Sequence, residues 1–247
     1  MHIVGIIPAR YASTRLEGKP LCLIGNKTML ERVFEQASKT AELSEVWIAT
    51  DDDRIYQHAR SFTNHVLMTD ANHLSGTDRC AEAITLLPSQ PDVVINIQGD
   101  EPFLAPEQLS LLITLCLKPN VQIGTLVKTI THLPDLDNPA IPKVVIDVNG
   151  KALYFCRNAI PHVRDAVNKH SITFYSHVGL YGFKTQTLRE LVKLPPSMLE
   201  LTEKLEQLRW LENGFTMHTA LTHHNNFAID TPSDLEKARL MVAEQQQ

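Results

Sequence analysis

Residues 3–21 read IVGIIPARYASTRLEGKPL, and the fold class turns on this stretch. Positions 3–7 are apolar, mostly β-branched and free of polar side chains. Strands buried on both faces of a parallel sheet look like this, whereas a half-solvated antiparallel strand would alternate. The run stops at Pro8 and becomes a loop carrying Arg10, Arg15 and Lys19, with Glu17 as its one acid. In open parallel sheets ligands sit beyond the carboxyl ends of the strands, so an anionic ligand is expected at this loop. It is neither the G-x-G-x-x-G of dinucleotide folds nor a P-loop. Two guanidinium forks and an ammonium suit a polyphosphate, and Gly18 lets the backbone approach it closely.

Outward from this stretch, short apolar runs alternate with helical patterns. Met29–Ser38 (MLERVFEQAS) places apolar residues at helical spacing, 46–49 reads as a strand, Asp53–Arg60 as a short helix and Val66–Met68 as a brief strand. Ser75 stands as the cap of a helix running through 80–84, 93–97 as an apolar strand, and Pro106–Cys116 as a helix. Strands separated by helices predict an α/β fold, a mostly parallel Rossmann-like sheet covered on both faces. The pattern then changes. Asn149-Gly150 lies between the strand-like runs 143–148 and 151–155, the strongest short-range hairpin signal. With a further strand at 177–183, the region 130–185 is expected to form a small antiparallel subdomain within one domain spanning 1–247. Helices at 185–194 and 202–213, a strand at 217–221 and a last helix after Asp230 follow. Thr231 or Ser233 would cap that helix, with Pro232 in its first turn.

The chain has 247 residues, 43% hydrophobic and 21% charged, which is ample for a globular core. Its 23 basic and 28 acidic residues give a net charge of −5, which argues against nucleic acid as a partner and makes any anion site local. Cys22, Cys80, Cys116 and Cys156 lack zinc-like spacing and a disulfide framework, so free thiols in a reducing cytoplasm are expected. The apolar start is too short for a signal-peptide core and lacks a basic lead. No run approaches the ~20 apolar residues of a membrane span, so no membrane partner is expected.

Two acids stand where strand and helix patterns end. Asp100, in NIQGDEP (96–102), follows a buried strand, and Asp230 precedes the last helix. Magnesium takes one or two carboxylates together with phosphate oxygens and water, so either could hold it. Taken alone, Gly99-Asp100 is more commonly a turn than a metal site, and Asp230 by itself reads as a helix cap. His223-His224 lacks H-x-x-x-H spacing and reads as solvated.

Eight segments in order along the chain carry a resemblance. They are IIPARYASTRLEGKPL (6–21), ATDDDRI (49–55), SGTDRCAEA (75–83), NIQGDEP (96–102), KVVIDVNGKALYFCRNAIP (143–161), HVGLYGF (177–183), LEQLRWLENG (205–214) and IDTPSDLEKAR (229–239). With them the chain resembles the 3-deoxy-manno-octulosonate cytidylyltransferases, or CMP-Kdo synthetases. The resemblance implies a magnesium-dependent nucleotidyltransferase that joins CMP from CTP to the 2-hydroxyl of Kdo, an acidic eight-carbon sugar, with pyrophosphate leaving. It further implies a cytoplasmic homodimer serving lipopolysaccharide biosynthesis.

By the same resemblance Arg10, Arg15 and Lys19 hold the CTP phosphates, and Ser75, Gly76 and Arg79 lie in the segment around the cytidine. Asp100 and Asp230 are the implied magnesium carboxylates, catalytic together with Lys19. Gln98, Arg157, His177, Tyr181, Glu206 and Gln207 match sugar-site positions, although from the residues alone His177 and Tyr181 are ordinary strand residues. The chain departs from the family pattern at Glu17 (commonly proline), Cys156 (commonly serine) and His162 (commonly tryptophan), and lacks a usual glycine within 222–228. Neighbouring readings are the same reaction on 8-amino-Kdo, on a nonulosonic acid such as neuraminate, or a nucleotide-binding relative without catalysis.

Overall fold

The apolar run becomes β1, Ile3–Ala9, in which Val4, Ile6 and Ile7 are completely buried. The computed structural model describes residues 1–12, 16–164 and 172–244. The chain divides into two units, one of Met1–Ser110 with Asn225–Gln247 and one of Leu111–His224.

In the first unit a two-stranded hairpin, β2 (Leu23–Ile24) and β3 (Lys27–Thr28), leads into α1 (Met29–Ser38). There follow β4 (Glu45–Thr50), α2 (Asp53–Arg60), β5 (Val66–Met68), α3 (Gly76–Leu86), β6 (Val93–Asn96) and the start of α4 (Pro106–Cys116), a helix whose residues from Leu111 on count with the second unit. β1 pairs in parallel with both β4 and β6, and β4 pairs in parallel with β5, giving the order β6-β1-β4-β5. This is the parallel α/β sheet that the sequence predicts. Three helices start on side-chain caps: Thr28 accepts from the Glu31 amide, Asp52 from that of Arg54 and Ser75 from that of Asp78. Each cap satisfies a first-turn donor that the helix's own ladder cannot reach. α1 buries Met29, Leu30, Val33 and Ala37, the spacing of one helical face.

The second unit contains β7 (Ile123–Thr129), β8 (Lys143–Ile146), β9 (Ala152–Cys156), β10 (Tyr175–Lys184), α5 (Thr185–Leu191), α6 (Met198–Glu203), α7 (Gln207–Glu212) and β11 (Met217–Leu221). β10 runs antiparallel to β7 and β8, β8 antiparallel to β9, and β11 parallel to β7. β7 has no counterpart among the expected elements. Its IGTLVKT sequence mixes Gly, Thr and Lys into the apolar run, although residues 123–127 are all buried.

The Asn149-Gly150 hairpin forms, with a different turn. A type I′ turn needs positive φ at both central residues. Here only Gly150 adopts one, at 76°. The Asp147 carboxylate instead accepts from the backbone N–H groups of Asn149 and Lys151, each at 2.8 Å, a local bonding pattern typical of Asp in turns.

The helix expected over 202–213 is two short helices. α6 begins on a Ser197–Glu200 capping box, and Lys204 ends it in the left-handed conformation at φ 54° and ψ 46°. The carbonyls freed at that end are taken by Arg157, whose Nε donates to Glu203 O at 2.6 Å and whose Nη2 donates to Lys204 O at 3.1 Å. A partner so distant in sequence leaves no trace in local periodicity.

α8 (Pro232–Glu244) belongs to the first unit, where Leu235, Ala238 and Val242 pack with Ile24, Met29 and Ile229. Thr231 is its cap: the Thr231 hydroxyl accepts from the Asp234 amide at 3.2 Å and the Asp234 carboxylate accepts from the Thr231 amide at 3.0 Å. All four cysteines are free, with Cys22 part-buried and the others buried. Among the described residues no helix is long and apolar enough to cross a membrane.

Gly124 on β7 lies so close to α4 that a Cβ there would stand 2.7 Å from Cys116 Sγ and 3.2 Å from Leu112 Cδ1. Gly124→Ala should therefore destabilise the fold by about 1–3 kcal/mol, the usual cost of overpacking. Adding Cys116→Ala should recover part of that loss, as read in a double-mutant cycle of urea unfolding. Strict additivity would show that the contact is not the cause.

Candidate active site

Four chain ends of the first unit surround a pocket of about 290 Å³. It opens where β1 and β6 end and where α3 and α8 begin. Arg10, Lys19, Ser75, Gly76, Gln98, Asp100 and Asp230 line it, as do Arg79, His73 and Leu74. The walls are closely fitted. A Cβ on Gly76 would stand 3.1 Å from the Pro8 ring, and one on Gly99 3.0 Å from Pro8 O.

The cationic loop after β1 folds back on itself. The Gly18 amide donates to Tyr11 O at 3.0 Å, and Gly18 takes a left-handed φ of 63° that places Lys19 at the head of a short 3-10 turn. The sequence suggests that Gly18 serves close approach to a ligand; in the structure its near neighbour is the Tyr11 ring, 3.1 Å from a notional Cβ. The Arg54 guanidinium carbon covers that ring, 3.2 Å from its centroid. Exposed Glu17 faces Arg54 electrostatically as well as the pocket loop. Arg10 is exposed at the pocket; Arg15 lies outside the described residues.

Lys19 Nζ donates to Asp100 Oδ2 at 2.8 Å and to Asp230 Oδ1 at 3.1 Å, with the Lys19 side chain only 16% exposed. Two carboxylates far apart in sequence thus share one cation. Asp100 is not merely a turn former, and Thr231 rather than Asp230 caps α8. No group of three or more His, Cys, Asp or Glu side chains disposed for a metal occurs among the described residues. Two carboxylates converging on a cationic centre beside an anion pocket fit magnesium, which completes its shell with phosphate oxygens and water. The Lys19 ammonium is the stand-in that shows the fit. His223 and His224 are exposed, in keeping with the solvated reading.

Ser75 and Asp78 form a reciprocal capping box at the start of α3, and Ser75, Gly76 and Arg79 bring the positive dipole end of the helix to the pocket. Arg79 is 3% exposed, and its guanidinium is engaged within the protein. It donates to Asp51 Oδ2 at 3.0 Å, Thr69 Oγ1 at 2.5 Å and Asp70 O at 3.3 Å. It lines the pocket and also ties together the ends of β4 and β5. His73, with no role expected from sequence, stands in the pocket wall with Nε2 2.5 Å from Glu82 Oε2. A histidine just ahead of a cap residue was the only available signal.

Of the expected sugar-site residues, Gln98 lies at the pocket in the first unit, and the rest belong to the second. There His177, Tyr181 and Gln207 come together. The His177 and Tyr181 rings stand 5.3 Å apart, and Tyr181 OH donates to Gln207 Oε1 at 3.1 Å. Gln207 is 2% exposed, and its Nε2 is buried with no hydrogen-bond partner. Glu206 precedes α7 and stands 4.0 Å from Arg209. Arg157 also ties its own unit together: besides the α6 carbonyls, its Nη1 donates to Pro139 O at 2.8 Å. Cys156 Sγ, where serine is usual, donates to Glu203 Oε1 at 3.1 Å. Burial, then that hydrogen bond, pushes its thiol pKa up. His162, where tryptophan is usual, is exposed.

Burial alone lowers the His177 pKa to about 3. Its Nε2 is 2.9 Å from Thr125 Oγ1, so the ring is a neutral hydrogen-bonding group. Burial first, then the charge of Glu206, raises the Tyr181 hydroxyl well above its ordinary range. Both side chains are thus hydrogen-bonding groups rather than charged ones.

A family model described as cytidylyltransferase matches residues 4–247. A 3-deoxy-manno-octulosonate cytidylyltransferase from Cytophaga hutchinsonii is 48% identical over 95% of this chain and 95% of its own length. The protein of the same name from Parabacteroides distasonis is 47% identical over 98% of this chain and 99% of its own. A solved structure of CMP:2-keto-3-deoxy-manno-octonic acid synthetase complexed with CTP superimposes with a TM-score of 0.92. It shares 38% identity and is covered along 99% of this chain and 100% of its own.

The depressed His177 pKa gives a signed prediction. The fold favours the neutral ring, so its contribution is present above the ordinary pKa of 6.5 and lost as pH falls towards about 3. His177→Asn should be less stable than wild type at neutral pH, and the gap should narrow as pH falls through that window. Urea melts at stepped pH values measure this, and a constant gap would contradict it.

Proposed function

The chain belongs to the 3-deoxy-manno-octulosonate cytidylyltransferase family, and on that premise we propose that it transfers CMP from CTP to the 2-hydroxyl of 3-deoxy-D-manno-octulosonate. The observation that carries this reading is the convergence of Lys19, Asp100 and Asp230 at a pocket walled by Arg10 and the start of α3. Such a pocket can take a triphosphate by charge and a base by short hydrogen bonds.

In the reaction the sugar oxygen forms a bond to the α-phosphorus while the bond to the bridging oxygen of pyrophosphate breaks. Positioning and charge neutralisation supply most of the rate in such displacements, and no covalent enzyme intermediate is required. Arg10, Arg15 and Lys19 bind the phosphates, and the α3 amides add fixed positive dipoles that need no reorganisation. Asp100 and Asp230 would hold magnesium, which when bound neutralises phosphate charge and favours the sugar alkoxide.

Sugar hydroxyls and carboxylate are assigned to Arg157, His177, Tyr181, Glu206 and Gln207, with Gln98. The partnerless Gln207 Nε2 supports this, because a buried donor without an acceptor is costly and a sugar oxygen would satisfy it. A cytoplasmic homodimer supplying lipopolysaccharide assembly belongs to the same reading. Exposed Val148, Leu153, Met198 and Leu201 offer apolar surface for the second copy.

Pyrophosphate release from CTP tests the reading. Kdo should be the preferred acceptor, and CTP should far exceed ATP. Equal use of 8-amino-Kdo or neuraminate would overturn the sugar assignment alone, and equal use of ATP the base assignment. Lys19→Ala should raise the CTP requirement or slow turnover, a loss of about 1.5–3 kcal/mol for one charge-assisted contact. Asp100→Asn should reduce kcat more than CTP affinity, because its charge acts mainly in the transition state. EDTA should abolish turnover and magnesium restore it; metal-independent turnover would refute the carboxylate roles.

A further inference from the structure

Asp100 and Asp230 sit on two segments with no covalent reason to stay in register. Lys19 bonds both carboxylates across the gap between them. A second set of contacts joins the segments that carry them. The Ile229 amide donates to Asp100 O at 2.9 Å, one residue from each carboxylate-bearing position or at it. Beyond this bond a buried polar chain continues. Asn226 Nδ2 donates to Glu101 Oε2, and Gln108 Nε2 donates to Asn226 Oδ1 at 2.9 Å. Glu101 is 7% exposed and Gln108 fully buried. The Phe103 and Phe227 rings flank the chain, with centroids 6.1 Å apart.

We propose that Asn226 is a positioning residue that holds the Asp230 segment against the Asp100 segment by bridging Glu101 and Gln108. The inference rests on the reading that Asp100 and Asp230 hold the divalent cation. The chemistry at 226 is directional. The Gln108 amide nitrogen donates only, so the side chain at 226 must accept from it while its own amide nitrogen donates to Glu101. A primary amide does both; a carboxylate or an alkyl group cannot. Glu101 needs that donor, since a buried carboxylate without one is costly. This bridge stands in the stretch where the family's usual glycine is missing, and it supplies in side-chain bonds a constraint on the loop. Groups that orient metal ligands without touching the metal typically change metal affinity or activity by roughly 10-fold or more when removed.

The test uses the full chain carrying Asn226→Asp, which keeps shape but turns the donor into an acceptor, and Asn226→Ala. Mn2+ binding in the presence of CTP and without sugar is read by electron paramagnetic resonance. Both variants should bind Mn2+ roughly 10-fold more weakly, while CTP affinity in EDTA stays at the wild-type value. Wild-type Mn2+ affinity in the folded variants would overturn the inference, even if their melting temperatures fell, because that pattern marks a purely structural contact. Should either variant not fold, Gln108→Leu removes the second link and carries the same readout. Asp100→Asn and Asp230→Asn run in parallel. If these two keep wild-type Mn2+ affinity, the metal reading has failed; if they lose it and the Asn226 variants do not, only the positioning inference has failed.

Discussion

The Lys19 ammonium lies between two carboxylates, and the loops of the first unit are arranged about it. Lys19 hangs from the loop after β1, Asp100 from the turn after β6, and Asp230 from the approach to α8. An ammonium in water gains little from one carboxylate, but this one is largely shielded and has two, so the attraction is screened less than at an open surface. Arg10 stands exposed at the same pocket, so acidic and basic groups meet there. A ligand that carries both signs of charge, such as a metal-bound polyphosphate, would match that mixture.

The elements that were legible in the sequence are those whose cause is local. α1, α2, β5, α4 and β11 follow from apolar spacing and from caps such as Thr28 and Asp52, all within a few residues of the feature they set. The failures have distant causes. The break at Lys204 depends on Arg157, and the hairpin turn depends on an Asp147 carboxylate that competes with Asn149-Gly150 for control of the backbone. β7 was hidden because its Gly124 is set by the closeness of α4 rather than by strand propensity.

The site divides in the same manner. The clustered cations after the first strand picked out Lys19, and position at element ends made Asp100 and Asp230 candidates, but only the resemblance raised the two acids above a turn and a helix cap. Arg79 and Arg157 came forward only through the resemblance, and the structure adds a scaffolding part for each. Their guanidinium donors are engaged by Asp51, Thr69 and Asp70 in one case and by Pro139, Glu203 and Lys204 in the other. A fork of five donors serves an assembly of loops as well as it serves a ligand, and sequence cannot tell the two apart. The acidic departure at Glu17 is likewise intelligible only in space, where Arg54 faces it from α2.

The first unit is built from two separated pieces of chain, 1–110 and 225–247. During synthesis the second unit's residues must all leave the ribosome before Asp230 exists to meet Asp100. Contacts of such long sequence separation form late, because the intervening chain must first be ordered. A nascent chain therefore carries the loop of Arg10 and Lys19, and the Asp100 turn, for some time without the residue that completes their charge balance. Until then the ammonium has one carboxylate partner instead of two, and Ile229 is absent from the apolar cluster around Ile24 and Met29. Whatever depends on Asp230 standing beside Asp100 must wait for residues 225–247 to join the first unit.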